Sequence, residues 1–146
     1  MPWRAFAFAG VMAFLAIPGT VLGQTEVNEA RAKFHYQMFC QGCHTPDGAG
    51  YNAIPPLKNF MGYFLRSERG RAFMVRVPGS ATSTLDDAEL AEVLNWSIDN
   101  FAGSSMPEGG YRPYTAEEVA VLRQQPLQEI EKHRASVLAE IAALES

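Results

Sequence analysis

Cysteine is almost missing from this chain: Cys40 and Cys43 are the two examples among 146 residues. A framework of disulfides, the common staple of small exported domains, is therefore excluded, and one bridge across so short a loop would constrain little of the chain. Basic residues are outnumbered, twelve to sixteen, and the formal net charge of −4 is a poor match to nucleic acid. Nothing alternates with the period of two that marks a half-buried strand, and no internal repeat or low-complexity tract occurs. The uncharged apolar run Ala5 to Ile17 falls short of the roughly 20 residues that span a bilayer.

That run has another use. Met1 to Arg4 forms a short basic lead, Pro18 and Gly19 break any helix behind the run, and Val21-Leu22-Gly23 offers a small-residue cleavage site before Gln24. The expected organisation is a signal peptide over residues 1–23, one domain over 24–125 and a helical extension over 126–146. Export to the periplasm follows, with membrane contact through the cleaved signal alone. With 47% hydrophobic residues, the remainder has material for one core.

The mature part reads as all-α. Residues 25–39 predict a helix with Thr25 as N-cap and Val27, Ala30, Phe34 and Met38 at helical spacing. A second stretch runs from Asn59 to Val77, interrupted near Gly70 and stopped by Pro78-Gly79. Residues 85–101 give the strongest signal, with Asp86 and Asp87 at the start and Leu90, Val93, Leu94, Ile98 and Phe101 on one face. Thr115-Ala-Glu-Glu opens a short helix with a capping-box pattern, and an amphipathic helix follows Pro126. Residues 45–57 and 102–113, rich in proline and glycine, are loops.

Cys40-Gln41-Gly42-Cys43-His44 matches C-x-x-C-H, the attachment sequence of haem c. Two thiols at this spacing can add to the two vinyl groups of one porphyrin, and the adjacent imidazole can turn beneath the ring and bind iron. Both cysteines of the chain are used in the motif, and an export signal delivers it to a compartment where haem c is attached. A thioredoxin-like dithiol would need a strand before the motif. A zinc site would need more ligands than His35 and His133 can add.

From about Glu26 to Phe101 the chain resembles the class I c-type cytochromes. A helix leads into C-x-x-C-H; His44-Thr45-Pro46-Asp47-Gly48-Ala49-Gly50 and Pro55-Pro56-Leu57 follow; and Leu85 to Phe101 resembles the family's C-terminal helix. The resemblance implies one covalent haem c, thioethers at Cys40 and Cys43, and His44 as proximal iron ligand. It also implies that the Pro55 carbonyl accepts the imidazole proton and that Trp96 packs across the first helix near Phe34. The implied function is electron transfer rather than enzymatic catalysis. A periplasmic dehydrogenase is the expected donor, and a downstream oxidase or cytochrome the expected acceptor.

One departure stands out. The family's second iron ligand is a methionine ahead of the last helix, yet Val77 to Thr84 contains none. Met106, followed by Pro107 in a glycine-rich loop, is the expected distal ligand, with Met61 and Met74 as alternatives. An open sixth position, suited to an enzyme or a gas or peroxide binder, is the competing reading. Between Lys58 and Arg76 five basic residues face one acid, whereas from Val77 onward twelve acids face four bases. The basic stretch is expected to be a solvated helix face or to pair with the acidic helix 85–101; alternatively one or two of its arginines reach haem carboxylates, or the set forms a docking patch. The last helix is expected to pack on the body of the protein or on a partner.

Overall fold

The computed structural model describes residues 27–146, so the expected signal segment and Thr25 lie outside it. Among the described residues there is no strand, and none of the helices is long and apolar enough to cross a membrane. Helix α1, Glu29–Phe39, starts where the Asn28 side chain accepts a hydrogen bond from the Arg31 N–H, placing an acceptor on one of the first unpaired backbone donors. It runs directly into the single turn α2, Gln41–His44. Helix α5, Asp87–Phe101, carries a reciprocal capping box between Asp86 and Glu89.

Helices α1 and α5 cross and form one half of the core. Tyr36, on α1, lies 5.3 Å from the Trp96 ring and 5.0 Å from that of Phe101. Trp96 thus meets Tyr36 and not Phe34, which is 55% exposed; the indole N–H donates to Glu29. The expected face of α1 was therefore rotated. Ala32, His35 and Tyr36 are buried, while Phe34 and Met38 point outward.

The stretch expected as one interrupted helix is two elements. Met61–Arg66 winds as a 3-10 helix, Ser67 is extended, and α3 covers Glu68–Arg76. The break falls at Ser67 because its hydroxyl caps α3 by accepting from the Gly70 N–H. Gly70 itself sits inside α3, where a Cβ would meet the Phe64 carbonyl oxygen at 2.2 Å, so it serves close packing. Helix α3 stops at Arg76, ahead of Pro78 as expected, and Pro78 then begins the short α4, Pro78–Ala81, at a position where its missing N–H costs nothing.

A polar network fastens the segment after α5. The Asn95 side chain both donates to the Tyr114 carbonyl and accepts from its N–H. The Tyr114 hydroxyl donates to the Arg71 carbonyl, and the buried Arg71 guanidinium pairs with Glu118 on α6, Ala116–Leu122. Helix α7, Ile130–Leu144, then returns across α3 and the Met61–Arg66 turn, burying Val137 and Ile141. Arg66, Arg69 and Arg71 pair with Glu145, Glu140 and Glu118, and Arg76 donates to the Gln125 carbonyl. The basic stretch thus binds α6 and α7, not the acidic helix 85–101.

Candidate functional site

Cys40 ends α1 and opens α2; its N–H donates to the Tyr36 carbonyl, and the Cys43 and His44 N–H groups donate back to the Cys40 carbonyl. One tight turn therefore sets both thiols and the imidazole around a single opening. Thr45, at φ 64, stops the helix, and the Tyr36 hydroxyl holds its carbonyl at 2.7 Å. The loop then folds back: the Gly50 N–H reaches the His44 carbonyl, and the Leu57 and Lys58 N–H groups reach that of Gly48. Gly50 takes φ +76, which lets Ile54 and Pro55 pass against its backbone.

A cavity of about 390 Å³ lies against this turn, within the size range of cofactor pockets. Cys40, Cys43, His44 and Pro55 all line it. The remaining wall is chiefly apolar, with Phe60 just before the 3-10 turn and Met61 and Phe64 within it, Phe73 and Met74 from α3, and Leu90, Val93 and Leu94 from α5. Ser83 and Leu85 come from the segment before α5. That segment is held by contacts not evident in the sequence. Arg123, at the end of α6, donates to the Ala81, Ser83 and Leu85 carbonyls and pairs with Asp87.

The donor set fits the group implied by the motif. Both thiols are unbridged, and burial, with Cys43 adding to it, pushes the Cys40 thiol up to about 11. A thiol so protonated is a poor redox dithiol. Burial lowers the His44 pKa and keeps the imidazole neutral, the form that binds metal, while the Pro55 carbonyl acts the other way. Nδ1 of His44 is buried and falls short of full hydrogen-bond geometry with any partner. The Pro55 carbonyl is the backbone group that bears on this imidazole. No cluster of three or more His, Cys, Asp or Glu suited to a bare metal ion occurs among the described residues.

Met106 is placed elsewhere. The Gly103–Ser105 turn docks on the 3-10 element, where the Gly62 N–H donates to Ser105 Oγ at 3.0 Å and a Cβ on Gly62 would strike the Ser105 backbone. Pinned there, the next residue, Met106, packs half-buried against the core and is not part of the cavity wall. Met61 and Met74 are the methionines that line it. Sequence reasoning also missed Arg134 and Glu131, which α7 brings to the wall. Only the amphipathic pattern of that helix hinted at its return to the body of the protein.

Residues 29–120 match the family model described as Cytochrome c. A cytochrome c-552 of Thermus thermophilus is 34% identical over 136 residues, covering 80% of this chain and 87% of the relative. A second Thermus thermophilus cytochrome c-552 is 34% identical over 115 residues, covering 66% of this chain and 86% of the relative. No solved structure matches the chain at a significant level. With the attachment turn and its apolar cavity, these matches establish that the chain belongs to the cytochrome c family, as a class I, monohaem, electron-transferring member with one covalent haem c.

Proposed function

We propose that the chain works in the periplasm, after removal of a signal peptide, as a non-enzymatic carrier. It would take single electrons from a periplasmic dehydrogenase and pass them to a downstream oxidase or cytochrome. The observation that carries this reading is the convergence of Cys40, Cys43, His44 and Pro55 on one apolar cavity. Bound there, haem c supplies an iron that cycles between ferric and ferrous states. Cys40 and Cys43 hold the group through thioethers, His44 binds iron and the Pro55 carbonyl orients the imidazole. The apolar walls keep water from the redox centre.

For the second axial position the reading departs from Met106, which the Ser105–Gly62 contact holds off the cavity wall. Met74 takes the role. It stands one turn before Val77 on the element leading into the segment where the family carries its ligand, and it lines the cavity. A second reading, an iron open to a small exogenous ligand, is favoured by the composition of the wall between α3 and α5, where Val77, Pro78, Gly79, Ser80 and Ser83 replace any methionine.

Ferric spectra of the haem-loaded parent and of Met61→Leu, Met74→Leu and Met106→Leu separate the readings. Low-spin iron in the parent that turns high-spin in the Met74 variant alone supports methionine ligation by α3. High-spin iron already in the parent decides for the open site. A dehydrogenase donor is tested by reduction kinetics with candidate periplasmic enzymes; no reduction at substrate-dependent rates refutes it.

A further inference from the structure

Helix α7 lies beyond the residues that match the family model, yet it supplies Ile130, Glu131 and Arg134 to the cavity wall. Its seat is firm. The Leu127 N–H donates to the Arg76 carbonyl at 2.8 Å, Arg69 reaches Glu140 and Ser136, and Val137 and Ile141 are buried. Arg134 differs from the other arginines packed at this flank. Arg66 and Arg69 both have carboxylate partners on α7 or just past it, whereas Arg134 makes neither an ion pair nor a hydrogen bond to any described residue. Its Nε is buried without a partner, and its guanidinium carbon stands 5.0 Å from the centroid of the Phe60 ring.

A guanidinium cannot shed its proton, so a buried N–H on it calls for an acceptor, best a carboxylate. Haem carries two carboxylates, and thioethers at Cys40 and Cys43 with ligation by His44 leave both unmatched. We propose that Arg134 holds a haem carboxylate, which makes α7 part of the haem site. Among the titratable side chains on the wall, Cys40, Cys43 and His44 are taken up by attachment and ligation. Glu131 and Arg134 therefore set the charge at this edge, and Glu131, one turn earlier on α7, forms no ion pair with Arg134. The assignment rests on the reading that this cavity holds haem.

The guanidinium keeps its carboxylate ionised and offsets part of that negative charge at the iron. Without it, the uncompensated charge favours ferric iron, and the carboxyl group titrates closer to neutrality. Three haem-loaded variants test this by redox titration across about pH 5 to 8, where a freed carboxyl group begins to titrate: Arg134→Gln, Arg134→Lys and, on the exposed side of α7, Lys132→Gln. Arg134→Gln should lower the reduction potential and add a rise of potential towards acid that the parent lacks. Arg134→Lys should stay near the parent, as should Lys132→Gln. If Arg134→Gln does not accumulate, Arg134→Met, which keeps the stem against Phe60, takes its place with the same expected shift. Equal potentials and equal pH profiles in haem-loaded parent and neutral variant overturn the assignment. A polypeptide without haem mass after denaturation overturns instead the reading beneath it.

Discussion

At φ +76, Gly50 lies in the left-handed region, and a Cβ there would stand 2.5 Å from the Ile54 carbonyl oxygen and 2.9 Å from that of Pro55. Both obstacles are backbone and cannot swing aside. Gly50→Ala should therefore lower the stability of the protein by about 1–3 kcal/mol, the combined cost of a left-handed alanine and local overpacking. Denaturant titration reads this directly, and an unchanged midpoint would show that the loop relaxes without loss. Cys40, Cys43 and His44 were legible in the sequence because their arrangement is local, set within one helical turn. Arg123 and Arg134 were not. Each acts on groups far away along the chain, and no local pattern marks an arginine that will donate to three carbonyls or face a cavity.

The joint between α1 and α5 depends on a buried carboxylate. Glu92 accepts from the Asn28 N–H and from two nitrogens of Arg31. The hydrogen bond from Arg31, which outweighs the opposing effect of burial, holds its pKa below the usual 4.5. A depressed carboxylate pKa contributes stability that is complete above the unfolded value and lost as pH falls through the folded one. Glu92→Gln should accordingly melt on the order of 3–6 °C below the parent at neutral pH, a shift typical of a modest loss in a domain of this size. The gap should narrow at acid pH, as the pH falls through the depressed folded value. A gap of the same size at neutral and acid pH would show that the ionised form of Glu92 contributes nothing special.

Helix existence was easier to read than helix phase. Helix α5 announced itself through a continuous apolar face behind Asp86 and Asp87, and the structure adds the Asp86–Glu89 capping box. Helix α1 ends where expected but begins at Glu29 behind Asn28 rather than behind Thr25, and it is turned, since Phe34 and Met38 keep helical spacing on its outward side while Tyr36 takes the core position. The break at Ser67 was hidden by the better-known breaker three residues on.

Across the whole molecule, charge is arranged to hold elements together more than to attract partners. Four of the five basic residues between Lys58 and Arg76 have intramolecular acceptors. The exposed side of α1 instead shows Phe34 at 55% and Met38 at 62% exposure. Electron exchange with a partner should then change little with ionic strength, because long-range steering by exposed charge is what salt screens, over about 10 Å at 0.1 M. Stopped-flow rates that fall steeply with added salt would restore the basic stretch as a docking patch.

The position of α7 in the chain also imposes an order in time. A polypeptide made from its N-terminus presents the attachment turn well before Ile130, Glu131 and Arg134, the last wall residues in sequence. Until those residues arrive, the pocket is doorless on one flank. A flat, rigid guest can therefore be stitched to the early cysteines from the side, and the final helix shuts behind it.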